Sequence, residues 1–307
     1  MKHVTVLKGG LSSEREVSLN TAAAVAKGLK EAGYTVSELD VGATLAEDLR
    51  RLHPDVVFNA LHGTFGEDGC VPGLLEILQI PYTHSGVLAS AIGMDKPMAK
   101  LIFENAGIRC TVGKVMRRDE ILKNPKSLPP LPLVIKPTAD GSSVGVLILT
   151  EPKDLADINE LTLPNHEELL VETYVPGKEL TVGVLDGKAL GVIEIRPKAG
   201  FYNYKNKYTA GMTEYLAPAP ISAEATKQAM QIAERAHRAL GCRGVSRSDF
   251  RYDDTKGEPG GMFLMEINTH PGMTATSLVP KLAAAAGIPF PQLVDKLVQL
   301  ARLDHAL

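Results

Sequence analysis

Several features that would assign the sequence to a specialised class of protein are absent or scarce. Its 307 residues include no tryptophan, and Phe, Tyr and Trp together make up 5%, which disfavours a platform that stacks nucleic-acid bases on aromatic rings. Positive charge is not in excess, because 33 Lys and Arg stand against 36 Asp and Glu, for a formal net charge of −3. We therefore expect no nucleic-acid partner.

Cysteines and long apolar runs are also scarce. Cys70, Cys110 and Cys242 are an odd number and have no metal-ligand spacing, so we expect free thiols in a reducing compartment. The N-terminus has no signal-peptide pattern. The longest uncharged stretch, residues 77–94, is interrupted by polar residues and Pro81, whereas a bilayer span needs about 20 predominantly apolar residues. We expect a cytoplasmic protein without a membrane segment.

The composition is that of a globular protein, with 44% hydrophobic and 22% charged residues. At about 100–200 residues per domain, the length allows two or three domains. Strand patterns alternate with helical ones in the first ninety residues, which predicts an open parallel α/β layer. The predicted strands are 3–7, 35–39, 55–59 and 80–83, and the predicted helices are 16–32 and 71–78.

Later segments predict further sheets. Two β-patterned runs flank Asp186-Gly187, a hairpin signal because both turn positions need positive φ. Ser222 and Gly241 bracket a helix, and the polar segment 197–212 is a loop long enough to suspect function. The remaining predictions are a helix at 96–106, a surface loop at 123–132, strands at 133–136, 145–149, 169–172, 245–252 and 262–268, and two short C-terminal helices.

The last two predicted strands carry the strongest chemical signal. Side chains alternate along a strand, so Arg247, Asp249 and Arg251 share one face, as do Glu266 and Asn268 on the partner. If the faces coincide, Asp249, Glu266 and Asn268 converge. Opposed like charges destabilise a sheet, and a divalent cation such as Mg²⁺, which prefers oxygen ligands, would remove the conflict. The alternative is an ion pair of Asp249 with one of the arginines.

A Gly/Ser-rich loop follows Lys136 and returns into a strand. It therefore matches neither a Walker loop nor a Rossmann fingerprint. Its backbone N–H groups are suited to cradling phosphate oxygens, and the alternative is an ordinary hairpin loop.

Two further segments lie near the N-terminal layer. Acidic residues at the start of the first long helix can simply cap it, which is the alternative for Glu16, whereas Glu14 precedes the helical pattern and is placed to hold a substrate ammonium; the spacing alone does not decide. His62 and Glu67 follow a predicted buried strand, at the sheet edge where ligands of open α/β sheets bind. The alternative for His62 is a hydrogen-bonded loop residue.

Taken together, these motifs resemble the ATP-grasp carboxylate–amine ligases that join two D-alanines, over essentially the whole chain. The matching segments are GGLSSEREVS (9–18), ALHG (60–63), EDG (67–69), MDK (94–96), VIKP (134–137), GSSVG (141–145), KNKY (205–208) and MEINTHPGMT (265–274).

The resemblance implies a three-domain α/β (α+β) ATP-grasp fold. Residues 1–95 would form the substrate-binding α/β domain, while 96–180 and 181–307 would form the central and C-terminal domains that hold ATP between them. In the implied reaction, ATP phosphorylates the carboxylate of one D-alanine. The amine of a second D-alanine attacks the D-alanyl phosphate, giving D-alanyl-D-alanine for peptidoglycan precursors, ADP and phosphate.

The resemblance also implies site residues. Glu14 would hold the first ammonium beside His62, Arg247 and the Gly272 N–H would stabilise the oxyanion, and Ser277 and Leu278 would receive the second carboxylate. Tyr208 in the closing loop would lie opposite Ser142. Two Mg²⁺ or Mn²⁺ ions would bind Asp249, Glu266 and Asn268. ATP would contact Lys96, Lys136, Ser142, Ser143, Glu172, Thr173, Val175, Glu179 and Lys207, with Lys96 and Lys136 on the phosphates and Glu172 and Glu179 on the adenine and ribose side.

Three departures from the family pattern stand out: Ser246 replaces the more usual Gly, Asp140 stands where Glu is frequent, and His270 stands where Ser is common. None removes a required group. Two alternatives stay open, a ligase that makes D-alanyl-D-lactate and a non-catalytic nucleotide-binding protein of the same fold. The Lys207-Tyr208 pair matches the dipeptide formers. The family also suggests a homodimer.

Overall fold

A computed structural model of the protein describes residues 2–139, 141, 145–160, 167–198, 200–202, 206, 207, 209, 211–258 and 260–305. These residues form three β-sheets that follow one another along the chain. The first has the strand order β2-β1-β3, the second β4-β7-β5-β6 and the third β10-β9-β8-β11-β12. The mixed α/β fold predicted from the sequence is confirmed.

The first sheet is the predicted parallel layer. Its strands run in register, with Val4 paired to both Val36 and Val56, and Val4 and Phe58 are fully buried. The expected strand at 80–83 is reduced to an isolated bridge between Val57 and Tyr82. The elements are β1 (His3–Lys8), α1 (Arg15–Glu31), β2 (Thr35–Asp40), α2 (Leu45–Leu52), β3 (Val56–Asn59), α3 (Cys70–Ile77) and α4 (Val87–Met94).

The second sheet is antiparallel and has an apolar core of its own. Ile121, Ile135, Leu149 and Val171 are all fully buried in it. Part of the expected surface loop at 123–132 is a short 3₁₀ turn, Pro125–Ser127. The elements are β4 (Gly113–Arg117), α6 (Arg118–Lys123), β5 (Leu133–Pro137), β6 (Leu147–Leu149), the 3₁₀ segment Pro152–Glu160 and β7 (Glu168–Thr173).

The third sheet contains the predicted hairpin and the predicted strand pair. Asp186 and Gly187 have φ values of 51° and 75°, as the turn requires. The Ser222 hydroxyl accepts a hydrogen bond from the Ala225 N–H at 3.2 Å, and Gly241 ends the helix with a φ of 75°. The elements are β8 (Lys178–Leu185), β9 (Lys188–Pro197), β10 (Thr213–Leu216), α7 (Ala223–Leu240), β11 (Val245–Asp253) and β12 (Gly261–Asn268).

Three more helices join the first and third sheets. Helix α5 (Lys96–Asn105) buries Ala99 and Phe103 in the core of the third sheet. Helices α8 (Leu278–Ala285) and α9 (Phe290–Gln299) share a core with the first sheet, and the Tyr34 hydroxyl of the α1–β2 turn donates to Asp295 Oδ1 at 2.6 Å. The N-terminal layer is therefore fixed to the C-terminal part of the chain. None of the helices in the described ranges is long and apolar enough to cross a membrane.

Candidate active site

Two adjoining cavities lie among the sheets. The first has a volume of about 390 Å³ and separates the second sheet from the third. The second, of about 620 Å³, lies between the N-terminal layer, the third sheet and α8. Gly141, Tyr202 and Lys207 line both cavities. A ligand in one cavity can therefore approach a ligand in the other.

The first cavity has an apolar wall and a charged end. Val134 and Ile148 from the second sheet face Phe250 and Met265 from the third, which suits a flat apolar ring. Most of the residues predicted to bind nucleotide or metal line this cavity. They are Lys96, Lys136, Thr173, Val175, Glu179, Lys207, Asp249 and Glu266.

The pairing of β11 with β12 brings the predicted metal ligands together. Asp249 lies directly opposite Glu266, and Arg247 lies opposite Asn268. Arg247 also donates to both Asp249 oxygens, at 2.9 and 2.7 Å, and the Thr181 hydroxyl donates to Oδ1 at 2.6 Å. Asp249 and Glu266 are therefore brought together by the strand register, and Asp249 also forms the alternative ion pair with Arg247. No described group of three or more His, Cys, Asp or Glu residues is placed to hold a metal; the predicted set is two carboxylates and one amide.

Glu266 is surrounded by positive charge. Its nearest ion-pair partner is Lys96, with Nζ 3.8 Å from Oε2. Burial alone would raise the pKa of Glu266, but Lys96, Lys136, Lys207 and Arg247 together lower that pKa to about 2. The carboxylate is therefore ionised at any physiological pH, as an oxygen ligand for a cation must be.

Glu172 is one of the two residues expected to contact the adenine and ribose side. Its side chain is 2% exposed and is absent from the cavity wall. One oxygen forms an ion pair with Lys100 and accepts from the Thr111 hydroxyl at 2.8 Å, and the other lies 2.7 Å from Lys136 Nζ. The carboxylate is therefore held between Lys100 and Lys136, and its contact with the adenine and ribose side stays a prediction.

Glu179 is a second unusual carboxyl group of the first cavity. Burial raises its pKa to about 7, although Lys207 and Arg251 oppose the shift. Arg251 Nη1 is 3.9 Å from the Glu179 carboxylate, while Arg251 Nε donates to the Val175 carbonyl at 2.9 Å. Arg251 thus links Glu179 of the third sheet to Val175, which follows the last strand of the second sheet.

The second cavity gathers every residue predicted to bind the amino-acid substrates. Glu14 lies against two glycines, since a Cβ on Gly63 would be 2.9 Å and one on Gly141 3.1 Å from Glu14 Oε2. Any larger side chain at these positions would displace the carboxylate. The predicted residues that line the cavity are Glu14, His62, Arg247, Asn268, Gly272, Ser277 and Leu278.

His62 is fixed through both ring nitrogens. Nδ1 is 2.9 Å from Glu67 Oε1, and Nε2 is 2.9 Å from the Thr21 hydroxyl. Burial raises the pKa of Glu67, while His62 counteracts that effect. His62 therefore lines the cavity and is also a hydrogen-bonded loop residue, so both interpretations of its position, a residue at the ligand edge and a hydrogen-bonded loop residue, describe it.

Gly272 and Ser277 meet at the start of α8. A Cβ on Gly272 would lie 3.0 Å from Ser277 Oγ. Ser277 Oγ accepts from the Thr274 N–H at 3.0 Å, which closes the turn before the helix. Gly272, Ser277 and the first residues of α8 all line the same cavity.

Some contributors were not predicted from the sequence. Tyr202 lines both cavities. The sequence indicated a functional role only for the polar loop 197–212 to which Tyr202 belongs, and not for this residue. Phe58, His84 and His270 form an aromatic chain behind Asn268, with ring centroids 5.3 and 4.8 Å apart; no sequence pattern links these three residues. The predicted residues Ser142, Ser143 and Tyr208 lie outside the described residues.

Comparison with known proteins agrees with this geometry. The family models described as D-ala D-ala ligase N-terminus and C-terminus match residues 38–85 and 102–299. The D-alanine–D-alanine ligase of Paramagnetospirillum magneticum is 50% identical over 99% of both chains. The solved D-alanine–D-alanine ligase of Bacillus anthracis has a TM-score of 0.84 at 33% identity, covering 98% of this chain and 97% of that one. Its complex with ATP has a TM-score of 0.81 at 31% identity, with the same coverage.

The two cavities and the three sheets define an ATP-grasp ligase. With full-length relatives at this level of identity, the chain belongs to the D-alanine–D-alanine ligase family.

The raised pKa of Glu179 predicts a specific pH dependence of stability. From about pH 4.5 to about 7 the folded protein keeps a proton that unfolded Glu179 has lost, so the free energy of unfolding contributed by this group falls as the pH rises. In Glu179→Gln the free energy of unfolding should no longer fall with pH for this reason. Near pH 8 it should exceed the wild-type value by roughly 2 kcal/mol, as measured by urea unfolding from pH 5 to 8. The exposed Glu168→Gln serves as control, and parallel curves for Glu179→Gln and wild type would contradict the assignment.

Proposed function

We propose that the protein joins two D-alanines to D-alanyl-D-alanine, with hydrolysis of ATP to ADP and phosphate, through a D-alanyl phosphate. The observation that carries this proposal is the shared wall of the two cavities at Gly141, Tyr202 and Lys207. A phosphoryl group in the first cavity and a carboxylate in the second can meet there. The product is a precursor of peptidoglycan.

On the nucleotide side, the base would lie between the apolar residues of the second and third sheets, beside Thr173 and Val175. Lys96, Lys136 and Lys207 would bind the phosphates, and Glu179 would bind the ribose. Glu172 would act through Lys136, which it holds at 2.7 Å. Fixed cations of this kind stabilise charge that develops on a transferring phosphoryl group.

The residues fit a divalent cation. Asp249 and Glu266 face each other across two paired strands, and Asn268 follows on the same face. Ionised carboxylates and an amide oxygen suit Mg²⁺ or Mn²⁺, and we propose two such ions held by these three residues. When bound, they would offset the negative charge of the ATP phosphates.

On the amino-acid side, Glu14 would hold the ammonium of the first D-alanine next to His62. Arg247 and the Gly272 N–H would stabilise the oxyanion formed when the second amine attacks the acyl phosphate. Ser277 and Leu278 would receive the carboxylate of the second D-alanine. We propose that Ser142, Ser143 and Tyr208 complete the enclosure, because excluding water protects an acyl phosphate from hydrolysis.

Three further proposals concern the whole molecule. The order of the three sheets along the chain supports three units, with one boundary near Asp95 and the other between β7 and β8; the expected boundary at Thr181 falls inside β8 (Lys178–Leu185). Three free cysteines support a reducing, cytoplasmic location. Ile77, Leu88 and Leu101 lie on α3, α4 and α5 and are 79%, 70% and 60% exposed. Exposed apolar side chains of this kind support the homodimer that the family suggests, and sedimentation equilibrium gives the mass that tests it.

The proposed reaction predicts the substrates that support ATP turnover. Purified protein with Mg-ATP and D-alanine alone should release phosphate and form D-alanyl-D-alanine, measured by coupled phosphate assay and mass spectrometry. L-alanine and reactions without amino acid are the controls. Phosphate release with D-alanine plus D-lactate, but none with D-alanine alone, would favour the depsipeptide ligase instead. No turnover with any amino or hydroxy acid would favour the non-catalytic alternative.

Glu266 provides the sharpest test of the metal assignment. Glu266→Ala should lower turnover by about 10²–10³-fold or more, because the carboxylate that faces Asp249 is lost. Glu266→Gln preserves the side-chain volume if Glu266→Ala does not fold. Glu214→Ala, an exposed acid on the same sheet, should leave turnover unchanged. Unaltered turnover in a folded Glu266 variant would overturn the assignment.

A further inference from the structure

Lys281 lies in the part of the second cavity that the proposed mechanism leaves without a charged group. It is on the first turn of α8, and its N–H donates to the Ser277 carbonyl at 3.3 Å. Residues four apart share a face of a helix, so Lys281 and Ser277 point to the same side. Both line the 620 Å³ cavity together with Leu278.

One aromatic ring holds the Lys281 ammonium in place. Its Nζ is 4.0 Å from the centroid of the Tyr215 ring, and the Tyr215 hydroxyl is 3.0 Å from that of Tyr202. Tyr202 in turn lies under Lys207, with Nζ 4.9 Å from its centroid. A ring face fixes the position of a cation without neutralising its charge. The tyrosine pair therefore presents two positive groups to the cavities.

The described part of the chain offers Lys281 no acidic partner. Within the described part of the chain, no Asp or Glu forms an ion pair with it. The start of α8 adds positive potential, because the Leu278 and Val279 amides have no acceptor within the helix. A lysine near this end of a helix interacts unfavourably with the helix dipole, and an anion bound nearby would offset that effect. Partial burial lowers the pKa of Lys281, as expected for a cation without a counter-ion.

The cavity carries charged groups of both signs. Its wall includes Glu14, which lies against Gly63 and Gly141, and also Lys281 and the start of α8. The phosphate-binding lysines Lys96 and Lys136 line the other cavity. An amino acid carries both an ammonium and a carboxylate, so the carboxylate that Ser277 and Leu278 would receive is the anion best matched to Lys281.

We propose that Lys281 is a specificity-determining residue that binds the carboxylate of the second, attacking amino acid; this inference rests on the proposed function. Its ammonium forms a charge-assisted hydrogen bond with the carboxylate that is seated on the first turn of α8. Acceptors that lack a carboxylate are thereby rejected. D-alanine and D-lactate are affected alike, because both have this group.

D-alaninamide isolates this contact. It has no carboxylate to phosphorylate, so it can react only as the second substrate. In a mixture of D-alanine, D-alaninamide and Mg-ATP, the ratio of D-alanyl-D-alanine to D-alanyl-D-alaninamide measures the preference for a carboxylate. Mass spectrometry gives this ratio, which does not depend on the amount of active enzyme and so is insensitive to partial loss of folding.

Lys281→Met should shift the product ratio toward the amide by about tenfold or more, while the KM for ATP stays within twofold of wild type. Lys281→Arg should restore most of the preference, because the positive charge is kept. Lys296→Met removes an equally charged lysine from α9, where it pairs with Asp186 at 2.9 Å, and should leave the ratio unchanged.

A ratio for Lys281→Met within twofold of wild type would overturn the proposal. The Met side chain retains the apolar stem of Lys281 over Tyr215. If Lys281→Met does not fold, Lys281→Gln is measured in its place. A rise in the KM for ATP with an unchanged ratio would assign Lys281 to phosphate instead and would also overturn the proposal. If wild-type protein forms no dipeptide at all, the proposed function fails; if it forms dipeptide but the ratio does not respond, only the role of Lys281 fails.

Discussion

The site depends on the register between β11 and β12. This pairing sets Asp249 against Glu266 and, two residues away, Arg247 against Asn268. The first pair supplies two of the carboxylates that line the nucleotide cavity, and the second pair lines the amino-acid cavity. Because side chains alternate along each strand, a shift of β12 by one residue would turn Glu266 and Asn268 to the opposite face, away from Asp249 and Arg247. The route between the cavities is therefore set by backbone hydrogen bonds.

The two cavities differ in how their walls are joined. The N-terminal layer shares an apolar core with α8, α9 and part of the third sheet, so Glu14 and Ser277 are held on a common framework. The second sheet has a separate core, and it supplies Lys136 and Val175 to the nucleotide cavity. Most of the amino-acid cavity is thus built within one packed unit, with Gly141 added from the loop after β5, whereas the nucleotide cavity lies between two units.

The sequence predicted the parts of the molecule that leave a local pattern. Alternation predicted the strand pair of Asp249 and Glu266, and turn chemistry predicted the hairpin at Asp186-Gly187. Helix α4 was missed because its residues are nearly all apolar, so no amphipathic period is visible.

The roles of long-range partners could not be read from the sequence. Lys100 and Glu172 are 72 residues apart, and only the folded chain shows that they form a buried ion pair beneath Lys136. Tyr215 and Lys281 are likewise brought together by packing of β10 against α8. Whether a carboxylate faces a ligand or another side chain depends on such contacts, and a one-dimensional pattern does not contain them.

The central claim is that a carboxylate in one cavity receives a phosphoryl group from ATP in the other. The most direct measurement uses D-alanine labelled with ¹⁸O in both carboxylate oxygens. Transfer through an acyl phosphate moves one labelled oxygen into the phosphate released with each dipeptide, and mass spectrometry of that phosphate should find it. Dipeptide formation with unlabelled phosphate would contradict the account.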